Sequence, residues 1–136
     1  MIASPPTVTR AARLVFTAPP PGLAPFADFD LDEVEGALGL YTMRDAEGAG
    51  LRLFLIDPQY FVPEYVPRLP TEELARLGAD SADDVHVYVV ATLADRAPVV
   101  NLLAPILVNP VSGSATQVIL EGDDWPLAAQ LVAPSA

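Results

Sequence analysis

His86 is the only histidine in the chain, and several acids come in pairs: Asp57 with Glu64, Asp83 with Asp84, and Asp123 with Asp124. An imidazole can act as a general base, but a catalytic triad needs a nucleophile and an orienting acid converging on it. No Gly-x-Ser-x-Gly elbow announces that nucleophile, and His86 falls among alternating valines, the setting of a partly exposed strand residue. Glycosidase chemistry requires two acids about 5–9.5 Å apart across a sugar-sized cleft, which neighbouring loop acids do not specify. Asp80, Asp83 and Asp84 lack the alternating spacing and terminal bidentate Glu of a calcium loop, so they read as groups that cap and solvate a turn. Gly48-Ala49-Gly50 lacks the third glycine and following helix of a phosphate cradle. With no cysteine there is neither a disulfide nor a thiolate metal site. The expectation is a protein that is not an enzyme, with no catalytic residue, no metal and no cofactor.

Function is then expected in a surface, and the charge narrows what that surface meets. The chain carries 18 acidic residues against 7 basic ones, all arginine, for a net charge of -11. Direct nucleic-acid binding would start against strong repulsion, and an anionic membrane is disfavoured for the same reason. An acidic domain suits attraction to a basic protein partner, although acidity also serves solubility alone. Tyr60, Phe61 and Tyr65 cluster in a proline-rich segment beside Asp57 and Glu64, the composition of a protein interface; the same rings could instead plug one end of a barrel. Glu121, Asp123, Asp124 and Trp125 form a second acidic–aromatic group, whose alternative is a hydrated turn with Trp125 tucked against a sheet. Asn101 and Asn109, the only asparagines, bracket an apolar run around Pro105. They read as ties on irregular backbone, or, for Asn101, as an amide offered to an incoming peptide.

These residues must be positioned by strands. At 136 residues and 51% apolar composition the chain fits one domain over residues 1–136 with a core of its own, with residues 1–7 and 131–136 frayed. Val8–Thr17 alternates loosely and is closed off by three prolines. Acids interleave with Phe26, Phe29 and Leu31 between residues 26 and 35. Leu38–Arg44 and Leu51–Ile56 read as two strands around a glycine-bearing loop, the second apolar on both faces and therefore central. Pro63, Pro67 and Pro70 keep residues 58–70 extended. Thr71–Gly78 is the one convincing helix, with Thr71 as its cap and Gly78 as its left-handed exit. Val85–Leu93 is the clearest strand, and residues 98–109 and 116–121 supply two or three more. The expected fold is all-β, mainly antiparallel: a small, strongly bent sheet closing into a barrel-like domain with one short helix.

The spelling of several segments adds to this. Asn101-Leu102-Leu103-Ala104-Pro105-Ile106-Leu107-Val108-Asn109 resembles the most distinctive stretch of the flagellar assembly factor FliW family. Phe54-Leu55-Ile56-Asp57-Pro58 with Phe61, Glu64 and Tyr65 is similar to its strand-Asp-Pro-aromatic segment. Gln117-Val118-Ile119-Leu120 resembles its final strand, Trp125-Pro126-Leu127 its aromatic-Pro-Leu element, and Phe16 with Pro21-Gly22-Leu23 its opening. In order, these cover roughly residues 14–130. The resemblance implies a compact, barrel-like β fold and a cytoplasmic, chaperone-like binding protein with two competing partners, flagellin and the translational regulator CsrA. Binding CsrA would stop it repressing flagellin translation, and so control flagellum assembly. The interface expected from the resemblance and the residues together lies in 57–65, 101–109 and 121–125. Two other classes remain at this point: a small β-barrel holding an apolar ligand, and a carboxylate-dependent hydrolase.

Overall fold

The computed structural model describes residues 12–20, 23–93, 98–120, 125–126 and 129–130. The strands are β1 (Ala12–Phe16), β2 (Asp28–Glu33), β3 (Leu40–Asp45), β4 (Arg52–Ile56), β5 (His86–Leu93), β6 (Pro98–Val100), β7 (Ile106–Val108), β8 (Ser114–Gln117) and β9 (Ala129–Gln130). Two short helices, α1 (Pro58–Phe61) and α2 (Thr71–Arg76), lie between β4 and β5. Neighbouring strands run β4-β3-β2-β1-β8-β7-β5, and β5 pairs back onto β4 through Phe54↔Ala91 and Ile56↔Val89. That last pairing closes a seven-stranded barrel, which removes its edges. β1 meets β8 in parallel and the other pairings are antiparallel. Fold class is as the sequence indicates.

Alternation decides which side chains fill the barrel. Leu14, Phe16, Phe29, Leu31, Met43, Leu55, Tyr88 and Ile106 pack inside it. The interior is therefore filled by side chains, with Phe29, Leu14, Met43, Leu55 and Ile106 almost wholly buried. A second apolar layer covers the outer face of β5 and β7: Val89 and Leu107 point outward against Leu74 of α2, Leu77 at its C-terminal cap, Tyr65, Leu102 and Leu120. β5 is thus buried on both faces, as its valine-rich spelling requires.

Four local readings are refined. The acidic stretch forms β2, with Phe29 and Leu31 inward and its aspartates outward, where Asp30 pairs with Arg13 and Asp32 with Arg44. Residues 58–61 are helical rather than extended: Asp57 Oδ1 accepts the Gln59 N–H at 2.9 Å and Pro58 occupies the first turn, where its missing donor costs nothing. Thr71 does not cap α2. Pro70 holds the cap position without a side-chain hydrogen bond, and Thr71 is already helical. Gly78 does end the helix at φ +74°, with its N–H on the Ala75 carbonyl and that of Ala79 on Leu74. The strand expected at 116–121 is shifted to Ser114–Gln117 by the turn before it. There Gly113 has φ +82°, and a Cβ on it would lie 2.5 Å from the Arg13 carbonyl oxygen, where β1 and β8 meet.

Residues 98–108 amount to one strand broken by a large bulge. Val100 faces Ala91 and Ile106 faces Tyr88, so the five residues 101–105 stand opposite only Val90 and Val89. The Asn101 N–H donates to the Val90 carbonyl at the start of the excursion. The bulge frees β6 to pair outward with β9 while β7 stays in the barrel wall.

Candidate binding surface

Asp57 ends β4 and begins α1. Its N–H donates to the Gly39 carbonyl at 2.8 Å, and this joins α1 to the turn that precedes β3. Gly39 has φ +85°, and a Cβ there would lie 2.8 Å from the Tyr60 ring and 3.1 Å from that of Phe61. The two rings therefore sit directly on the backbone of this turn. Tyr60 is 53% exposed, Phe61 37%, and Leu38 beside them 66%. Below Phe61 runs an open groove of about 500 Å³ on the outside of the barrel, lined by Leu38, Leu40, Phe54, Ile56, Phe61 and Pro98 among others. Phe54 also carries the Arg52 guanidinium, whose carbon lies 5.3 Å from the centre of its ring.

A second groove of about 370 Å³ lies between α1, residues 65–69 and the start of β5, with Asp57, Gln59, Pro67 and His86 among its lining. His86 is exposed there, edge-on to Tyr88 at 6.3 Å. Tyr88 in turn packs edge-on against Tyr41 at 5.2 Å. Burial pushes both phenols above their ordinary value, and the nearby Asp57 and Glu33 carboxylates add to the effect.

The proposed interface residues thus separate. Tyr60, Phe61 and Glu64 are exposed, and Asp57 is half-buried at the cap. Tyr65 is in the core at 8% exposure; its hydroxyl donates to the Leu102 carbonyl at 2.6 Å and its ring meets Trp125 edge-on at 4.7 Å. Trp125 is half-buried against the outer apolar layer. Asn101 Oδ1 accepts the N–H groups of Leu103 and Ala104, both at 3.1 Å, inside the bulge. Asn109 Nδ2 donates to the Leu77 carbonyl at 2.7 Å while its Oδ1 accepts from Val111 at 2.9 Å, tying the end of α2 to the β7–β8 turn. Both amides are occupied with backbone. Glu121, Asp123 and Asp124 lie outside the described residues. Asp84 accepts from Asp80 and Ser81, capping a 3₁₀ turn at Ala82–Asp84.

Leu38, Leu40, Phe54 and Pro98 were not singled out as site residues by the sequence, although Leu38 stands between Ala37 and Gly39 at a turn where a large apolar side chain is unusual. Among the described residues no group of three or more His, Asp or Glu side chains is placed to hold a metal ion. No helix among them is long and apolar enough to cross a membrane.

Fold and surface together define a small closed β-barrel domain with an exposed aromatic corner above an apolar groove. A family model described as "FliW protein" matches residues 3–131, and the chain belongs to that family. It is 38% identical over 111 residues to the flagellar assembly factor FliW of Symbiobacterium thermophilum, covering 77% of this chain and 80% of that one. With the corresponding protein of Thermotoga neapolitana it shares 30% identity over 123 residues, covering 88% and 83%. A crystal structure of the flagellar assembly factor FliW superposes with a TM-score of 0.78 at 26% identity, over 88% of this chain and 84% of that one.

Proposed function

We propose that this chain is a cytoplasmic regulator of flagellum assembly that binds flagellin and, in a host that has it, the translational regulator CsrA, and that it works by partner exchange without catalysis. Membership of the FliW family along residues 3–131 carries the reading. The surface is compatible with it. Exposed aromatic and aliphatic side chains at Leu38, Tyr60 and Phe61 supply contact area, and the -11 charge supplies attraction to a basic partner. A protein that grips RNA must present basic groups to phosphate, so a bound acidic domain raises the cost of RNA remaining in place. Flagellin captured in the cytoplasm would occupy the chain; flagellin exported would release it to CsrA.

Titration calorimetry of the purified protein against the host's own flagellin, and separately against its CsrA, tests this. Saturable binding to flagellin, with excess flagellin displacing CsrA, is the expected result. Absence of heat and of co-elution with either protein would sink the proposal.

A further inference from the structure

The groove under Phe61 differs from the rest of the barrel's exterior. On the outer face of β1–β3 Arg13 pairs with Asp30 and Arg44 with Asp32, and Val15 is exposed singly among them. Continuing outward across the same face, Leu40 stands opposite Ile56 and Thr42 opposite Phe54. Ala91 is the partner of both Phe54 and Val100, so the apolar surface runs on across β5. The 34–39 turn and α1 wall the groove on one side with Leu38 and Phe61. No ring of convergent polar groups marks it for a small polar ligand, and Leu38 at 66% exposure is too open for a residue that merely completes the core.

The charge of the domain says what covers it. Exposed Glu35 lies in the same turn as Leu38, whereas Asp57 lines the second groove and, with Glu33, acts on Tyr41 and Tyr88. The Arg52 guanidinium lies over the Phe54 ring, and the domain as a whole carries a net charge of -11. A second copy of this chain would bring another -11 charge against this one.

We infer that the groove formed by Leu38, Leu40, Phe54, Ile56, Phe61 and Pro98 docks an amphipathic segment of a protein partner, one whose apolar stripe fills the groove while its basic residues are drawn by Glu35 and the -11 charge of the domain. This rests on the binding role proposed above and assigns it a place. Apolar anchors give the affinity and the negative charge of the domain gives the attraction.

Leu38→Asn is the discriminating variant. It removes an apolar contact without adding charge, and Asn-Gly suits a turn whose second residue has positive φ. Val111→Asn, at a position 94% exposed in the β7–β8 turn, is the control. Each protein is titrated with the host's flagellin, with its CsrA, and with two synthetic amphipathic peptides of identical leucine pattern, one with lysine and one with glutamate at the polar positions. The expected result is binding of the leucine–lysine peptide and of at least one natural partner to the wild type, about tenfold weaker in Leu38→Asn and unchanged in Val111→Asn. If a natural partner binds wild type and Leu38→Asn alike, the groove is overturned while the family function stands. If neither natural partner binds but the lysine peptide does so through Leu38, the function falls and the docking surface stands. Equal binding of the glutamate peptide, a concentration-dependent dimer lost in Leu38→Asn, or no binding of any probe overturns the inference.

Discussion

Asn101 and Asn109 carry the same side chain but use it differently, which a pair of substitutions at each will separate. Asn101 uses only its oxygen, accepting from Leu103 and Ala104. Aspartate keeps that acceptor, so Asn101→Asp is expected to leave thermal stability nearly unchanged. Asn101→Ala orphans two donors within the bulge and should cost about 1–3 kcal/mol. Asn109 uses both ends of its amide, and its Nδ2 donates to the Leu77 carbonyl in a position only 9% exposed. Asn109→Asp would set a carboxylate against that carbonyl, so it should destabilise more than Asn109→Ala does. Chemical denaturation of the four variants checks the order. Equal losses for Asp and Ala at position 101 would mean that the Asn101 oxygen is not what holds the bulge. Sequence alone marked both residues as ties on irregular backbone, because an amide at each end of a proline-interrupted apolar run has few other uses.

At the scale of elements, what was legible is what local chemistry decides. The Gly78 exit, the loop between β3 and β4, the two-faced spelling of β4 and the alternation of β5 depend on neighbours in sequence. β2 was harder because four of its six residues are acids, and only Phe29 and Leu31 betray the period of two. α1 was hidden by the surrounding prolines, although Asp57-Pro58 is a cap followed by a favoured first residue. The parallel β1–β8 contact joins residues about a hundred positions apart, and no local signal specifies it. The groove escaped notice for the same reason: its walls come from a turn, β3, β4, α1, β5 and β6. Asp45 shows a middle case, a strand-end acid whose role appears only with the loop in place. Its Oδ2 accepts from Ala49 at 2.6 Å and its Oδ1 from Leu51 at 2.8 Å. The Ala49 N–H first, then those of Leu51 and other loop residues, hold its carboxyl below the ordinary 3.8, against the opposing effect of burial. A depressed native value means that the unfolded chain takes up the proton first as pH falls. The stabilisation is therefore complete above about 3.8 and disappears as pH drops through the native value. Wild type and Asp45→Asn should differ in stability near neutral pH and converge in acid, read from denaturation midpoints across the range. A gap that persists unchanged into strong acid would exclude the charge of Asp45 as its source.

For the whole molecule, charge and contact should be separable in time. The -11 field acts on a partner before any side chain touches it, so it governs the association rate and is screened by salt. The groove acts only after docking, so it governs how long the complex lasts. Glu47, Glu72 and Asp83 are exposed and contribute nothing to the groove lining. Changing all three to amides moves the net charge from -11 to -8, three fewer negative charges. At low ionic strength the triple variant should associate several-fold more slowly with a basic partner while dissociating at the wild-type rate. By about 1 M salt, where the screening length falls to about 3 Å, the two proteins should associate alike. Leu38→Asn should show the converse: an ordinary association rate with its dependence on salt intact, and faster dissociation. Stopped-flow mixing at several salt concentrations measures both. If the triple variant changed dissociation instead, those acids would be contacts, and the acidic surface would be part of the interface rather than a field around it.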